Sequence, residues 1–188
     1  MPKKNKESKS LYQMKIILTG SKPPIWRRFI VKDNIKLDEL NAVLQITMGW
    51  LNYHLHQYRQ GSLYIGIPDQ ELDMGITDER KVYLHDIVSN PKDSFIYEYD
   101  FGDGWEHKIV LEKILPLDSS ESPIVIKGKG ACPPEDCGGV WGYHDFLEAI
   151  QDPNHDEHES MLEWVGGEFD PDAFDMKFVN NNLRGLKI

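Results

Sequence analysis

The stretch Ser94-Phe-Ile-Tyr-Glu-Tyr-Asp-Phe-Gly-Asp-Gly-Trp-Glu-His-Lys-Ile-Val-Leu-Glu-Lys113 decides the fold class. Phe95, Tyr97 and Tyr99 alternate with Ile96, Glu98 and Asp100; His107, Ile109 and Leu111 alternate with Lys108, Val110 and Glu112. A period of two puts each set on one side of an extended chain, so two half-buried strands are predicted. Between them Gly102-Asp103-Gly104 supplies the positive φ of a tight reversal, which makes the pair a hairpin.

Outward from this hairpin the same alternation recurs. Tyr12, Met14, Ile16 and Leu18 share one side of a strand that Gly20-Ser21-Lys22-Pro23-Pro24 interrupts. Residues 25–31 form the next, with Ile25, Phe29 and Val31 on one side and Trp26 and Ile30 on the other. Shorter strands are predicted at 54–60 and 63–67 around Gly61-Ser62, and at 124–127. Residues 36–48 switch to helical spacing, with Leu37, Leu40, Leu44 and Met48 as the apolar stripe. Asp38 and Glu39 suit its first turn, and Gly49 suits a left-handed cap. Residues 83–88 read as a short helix. From Trp141 the chain turns helical, with Phe146, Leu147 and Ile150 marking one helix. Asp152-Pro153 and Asp170-Pro171 each read as an N-cap followed by proline at the first helical position. The second helix would carry Met161, Leu162, Trp164 and Val165 inside, and the third Phe174, Phe178 and Leu183. The fold class is α+β: a mainly antiparallel sheet, one early helix and a C-terminal cluster of about three helices.

The 188 residues are 40% hydrophobic and 28% charged. That is enough for one core, and it excludes a disordered chain, a collagen and a disulfide scaffold. A basic flexible tail is expected over residues 1–10, then one domain over 11–188, strand-rich to 130 and helical from 131. The net charge of −10 disfavours nucleic acid as the main partner, since that binding runs on Lys and Arg. The acidity is local: residues 131–175 hold 13 Asp and Glu and no Lys or Arg. The near-neutral strand-rich part does not exclude nucleic acid as firmly. Strictly aliphatic runs reach only three residues, so no membrane partner is expected. Two cysteines and no apolar run behind the charged N-terminus suggest a reducing, cytoplasmic location.

Several strings occur together in order: Lys22-Pro-Pro-Ile-Trp-Arg-Arg28, Met48-Gly-Trp50, Tyr53-His-Leu-His56, Tyr99-Asp-Phe-Gly-Asp-Gly-Trp-Glu-His107, Ala131-Cys-Pro-Pro-Glu-Asp-Cys-Gly-Gly139, Trp141-Gly-Tyr143 and Phe169-Asp-Pro171. From about Leu11 to Leu183 the chain resembles the Ri-plasmid ORF-three-like family. The resemblance implies an α+β fold found mostly in bacteria and archaea, and some members carry resolvase or repressor labels. It brings no catalytic residues to transfer.

The chemistry therefore rests on the residues. Cys132 and Cys137, four residues apart between them, could ligate zinc or another divalent metal if His54 and His56 completed the set. On a strand those two histidines would face the same side. Alternatively the cysteines pack in a rigid Pro-Gly turn, or form a disulfide. Asp100, Asp103 and His107 are the candidate catalytic groups, as raw material for a metal site or an acid–base pair. Turn geometry alone also explains Asp103-Gly104. His155 and His158 lie one turn apart, without the spacing of a zinc protease. Trp26, Arg27 and Arg28 form a basic-aromatic cluster able to stack a base or hold a phosphate. Trp50, Tyr53, Phe101, Trp105 and Trp141 fall on Gly- and Pro-rich loops. No nucleophile elbow, P-loop or dinucleotide fingerprint is present. The first expectation is a non-enzymatic binding module using these aromatic loops toward a protein or small molecule. A metal-dependent hydrolase built on the His, Asp and Cys loops is the alternative, and a DNA-acting protein the second.

Overall fold

The computed structural model describes residues 7–68 and 75–188. The strands are β1 (Leu11–Leu18), β2 (Trp26–Lys32), β3 (His56–Gln60), β4 (Leu63–Gly66), β5 (Thr77–Asp78), β6 (Ser94–Tyr99), β7 (Trp105–Leu115) and β8 (Ile124–Lys129). The helices are α1 (Leu37–Met48), α2 (Leu84–Ile87), α3 (Gly139–Gln151), α4 (His158–Val165) and α5 (Met176–Arg184), with a single 3-10 turn at Glu79–Lys81. The strands form one sheet in the order β5-β4-β3-β6-β7-β1-β2-β8. Its pairings are antiparallel except β4 with β5, which is parallel. The α+β architecture is as the alternation predicts, with one early helix and three C-terminal helices.

The β6–β7 hairpin pairs Tyr99 with Trp105 at its closed end, and Gly104 takes φ 66° there. Its inward row of Phe95, Tyr97, Tyr99, Trp105, Ile109 and Leu111 is buried. Helix α1 lies across that row. Leu40, Val43 and Leu44 are fully buried, each contributing about 1.5–3 kcal/mol of burial. The sheet tyrosines reach the helix with their polar ends satisfied: Tyr58 Oη donates to Leu37 O at 2.7 Å and Tyr97 Oη to Asn41 Oδ1 at 2.6 Å. The predicted cap is present at Gly49, φ 113°, whose N–H donates to Gln45 O. A side chain there would also press on Cys132, 3.1 Å from a Cβ at that position.

The C-terminal helices correct two boundaries. Asp152-Pro153 does not open α4, nor Asp170-Pro171 α5. Asp152 Oδ1 accepts from Asn154 N, and Asp170 Oδ1 from Asp172 N, both at 2.9 Å. The carboxylates close local turns two residues on rather than capping a helix. Glu157 precedes α4 instead, and Asp175 caps α5, its Oδ1 accepting from Phe178 N at 2.9 Å. The inward residues shift with the boundary: Val179 and Leu183 are buried, while Phe178 is 63% exposed. In α4 no residue is fully buried, and Trp164 leans edge-on against Phe146 of α3. Helix α5 meets β8 through Asn180, whose carboxamide donates to Val125 O and accepts from Val125 N.

At the N-terminus, Ser8, Lys9 and Ser10 bond to Asp33, so the predicted flexible tail is fastened there; residues 1–6 lie outside the described residues. No helix among the described residues is long and apolar enough to cross a membrane.

Candidate metal centre

The C-terminal end of α1, the β6–β7 turn and the 132–138 loop meet at one corner of the sheet. Past Gly49 the chain runs through Trp50 to His54 before β3 begins. Its N–H groups are taken up in turn: Asn52 N donates to Gln45 Oε1, and Tyr53 N and His54 N to Tyr99 Oη, at 2.9, 3.0 and 3.4 Å. The Tyr99 hydroxyl donates to Glu135 Oε1 at 3.2 Å, and Leu51 N donates to the same oxygen at 2.8 Å. Asp100 N donates to Leu55 O, closing the hairpin turn onto this loop. Thus one tyrosine hydroxyl and one glutamate hold three sequence-distant segments together. Burial and the neighbouring Glu135 raise the Tyr99 hydroxyl to about 12, so it remains a donor near neutrality.

The side chains so placed are His54, Asp100, Glu135 and Asp136. His54 Nε2 lies 3.1 Å from Asp136 Oδ1, 3.7 Å from Asp100 Oδ2 and 4.0 Å from Glu135 Oε2. Potential ligand atoms of His54, Asp100 and Asp136 all fall within 4.8 Å of one another. Among the described residues, His54 Nε2 and Glu135 Oε2 are both buried and have no hydrogen-bond partner. The approach of Asp136 does not make a hydrogen bond either. One imidazole nitrogen with several carboxylate oxygens is a donor set for a divalent cation such as manganese, iron or zinc.

The backbone is bent to produce this arrangement. Asn52, Asp100 and Asp136 take φ 58°, 55° and 57°, in the left-handed region that costs a non-glycine residue roughly 1–2 kcal/mol. Asp100 recovers part of this locally, its Oδ1 accepting from Gly102 N at 2.9 Å. Such residues concentrate at functional sites because surrounding structure must hold them there.

The structure distributes the sequence-predicted residues differently from expectation. His54 precedes β3, so period two does not relate it to His56. His56 is buried on the strand, its Nε2 2.8 Å from Glu79 Oε2. His107 does not join Asp100. It is fully buried among aromatic rings, accepting from Trp50 Nε1 at 3.3 Å, and burial lowers its pKa to about 4. Asp103 is turned to the 138 loop, accepting from Gly138 N at 3.1 Å.

Cys132 and Cys137 are free thiols. Burial pushes Cys132 well above the ordinary thiol range and Cys137 up to about 12. Neither belongs to the His54 cluster. What sequence reasoning passed over is the acid pair inside that cysteine loop, Glu135-Asp136. Its available signal was two carboxylates between Pro-Pro and Gly-Gly.

The basic-aromatic cluster is split by the pleat. Arg27 is buried, donating to the carbonyls of Thr47, Trp26, Lys129 and Gly130, with its guanidinium 3.9 Å over the Phe174 ring. Arg28 forks Glu112 on the other side, and Lys15 sits 4.7 Å over Trp26. Of the loop aromatics, Trp50 and Trp105 are core residues with ring centroids 5.1 Å apart and planes tilted by 39°. Tyr53, Phe101 and Trp141 are exposed, as are Leu51 and Leu55 in the His54 loop.

Fold and site together define a class: an α+β protein carrying a histidine–carboxylate cluster at the corner of a mostly antiparallel sheet. The chain belongs to the plasmid pRiA4b ORF-3-like protein family, whose model matches residues 10–178. It is 42% identical over 179 residues to the uncharacterised protein y4hQ of Sinorhizobium fredii, covering 94% of this chain and 92% of that one. It is also similar to the crystal structure of MM3350, a protein of unknown function from Methanosarcina mazei. There the TM-score is 0.82 at 38% identity, covering 91% of this chain and 98% of the other.

Proposed function

We propose that the chain is a metal-dependent enzyme of hydrolase type, with a divalent cation held by His54, Asp100 and Asp136 and with Glu135 as its base. The observation that carries this reading is the pair of buried, unpartnered atoms His54 Nε2 and Glu135 Oε2, 4.0 Å apart. Left unpaired, each costs about 1–3 kcal/mol; a cation on His54 Nε2 and a water proton on Glu135 Oε2 would offset these.

A bound divalent cation supplies a coordinated water acidic enough to react near neutral pH. With the cation held, Glu135 would accept a proton from the attacking water and would return it to the leaving group of an acyl substrate as the bond to that group breaks. An acyl substrate suits the site better than a phosphate ester, because the surrounding carboxylates repel phosphate.

The test is elemental analysis of untagged protein prepared without chelator, followed by calorimetric titration with Mn2+ and Zn2+. One equivalent is expected, weakened more than about tenfold in His54→Ala and in Asp100→Asn. Absence of stoichiometric zinc, manganese or iron, with no binding on titration, removes the reading.

A non-enzymatic binding module is favoured by a separate observation. Tyr53 is 74% exposed and Trp141 83%, with Leu51, Leu55 and Phe101 also open to solvent. Exposed aromatics on loops held by a rigid sheet suit recognition. That reading stands if the metal titration fails and the Tyr53→Ser, Phe101→Ser double variant loses capture of a partner that the parent chain retains.

A further inference from the structure

Asp136 has a second neighbourhood. Beside the His54 cluster it contributes to the wall of a cavity of about 340 Å³, shared with Cys137, Asp145, Phe146, Glu157, Met161 and Trp164. Two kinds of surface meet there. One is carbon: Phe146 and Trp164 stand edge to face with centroids 5.8 Å apart, and Met161 lies beside them. The other is anionic. Asp145 and Glu157 are exposed and make no ion pair among the described residues, and the Glu157 carboxylate does not cap the helix it precedes.

No Lys or Arg occurs anywhere in residues 131–175, so the stretch that builds this wall brings no cation of its own. A divalent cation at the His54 cluster would neutralise only part of its four side chains' charge. Asp145 and Glu157 would remain anionic next to it.

A bare metal ion would leave the aromatic wall unused, and an anion would be repelled by the carboxylates. A neutral apolar ligand would leave two carboxylates facing carbon. Ammonium or guanidinium groups on an apolar stem satisfy both surfaces at once, pairing with carboxylates while the stem and charge lie against the indole.

We infer that this cavity binds an organic cation with an apolar body, and that it is the recognition pocket for the substrate of the adjoining metal centre. The inference rests on the hydrolase reading for the second part and on the cavity alone for the first. The cationic end belongs with Asp145 and Glu157, and the rest of the molecule runs past Asp136 toward His54.

The test uses n-hexylammonium, 1-hexanol and hexanoate as probes, titrated calorimetrically into the full chain with and without bound Mn2+. Hexylammonium is expected to bind at least about tenfold more tightly than hexanol, with no binding by hexanoate. The Asp145→Asn, Glu157→Gln double variant should weaken hexylammonium at least about fivefold and leave Mn2+ affinity within about twofold. Both positions are exposed, so the variant tests charge rather than folding. Equal binding of hexylammonium and hexanol overturns the inference, as does an unchanged affinity in the double variant. So does displacement of hexylammonium by Mn2+ in Asp100→Asn, which would make the cavity a metal site. A chain that binds hexylammonium but no metal keeps the pocket and loses the hydrolase reading; one that binds metal but discriminates among no probes loses the pocket alone.

Discussion

His107 shares the inward row of β7 with Ile109 and Leu111 and has no contact with water. Its two ring nitrogens are assigned by their neighbours. Nε2 accepts from the Trp50 indole, which leaves Nδ1 to donate to Tyr97 O at 3.3 Å. A second proton would find no acceptor, so the native chain keeps the ring neutral down to about pH 4, whereas an unfolded histidine protonates near 6.5. Protons therefore favour the unfolded state between these values. This residue's effect is absent above about pH 6.5 and grows as the pH falls, to on the order of 3 kcal/mol of lost stability near pH 4. Urea denaturation at pH 7, 5.5 and 4.5 should show the parent losing stability faster than His107→Gln, which keeps an acceptor for Trp50. Parallel curves would contradict this account. That His107 faces inward was legible from its alternation with Lys108. Its company was not, because alternation names a face and says nothing of what packs on it.

Among the elements, α5 shows how nearly equivalent sequence signals are resolved. Asp170, Asp172 and Asp175 are all suitable caps, and Asp170-Pro171 has the stronger local signature. The chain uses Asp175, because starting there turns Val179 and Leu183 inward and frees Phe174 to lie beneath Arg27. Packing of one buried cation thus outweighs a local preference worth about 1 kcal/mol. Asp175→Ala should lower unfolding free energy by about 1 kcal/mol, while Asp175→Asn, retaining an acceptor for Phe178 N, should restore most of it. A loss equal in both variants would mean that charge near the helix start matters more than the cap. The early helix and the hairpin needed no such arbitration, since long periodic patterns and the Gly49 stop agree with one another.

At the scale of the molecule, the candidate site joins residue 54 to residue 100 and residues 135–136. Individually His54 and Asp100 could be singled out from their motifs. Their convergence on Glu135 and Asp136 depends on the order in which strands pair and on Tyr99 tying the loops, neither of which has a signature in the chain. The charge division was legible, and the helical third carries the acidic cavity as well as Glu135 and Asp136 of the candidate site.

Among the described residues the sheet ends at β5 on one side and at β8 on the other. Strand β5 is only two residues long and ends at Asp78, whose carboxylate pairs with Arg80 and Lys81. Strand β8, on the other, presents six residues, among them Val125 and Ile126, to any extended chain that arrives. The carboxamide of Asn180 stands there as a counterfeit peptide group, occupying both backbone positions of Val125 that a foreign strand would need. Its significance is thus colloidal. Asn180→Ala should leave the far-ultraviolet dichroism intact yet give light scattering that rises with concentration and time, and a variant that stays monodisperse would show that α5 screens the edge by bulk alone. A side chain remote from any chemistry thus closes part of the longer sheet edge from within its own chain.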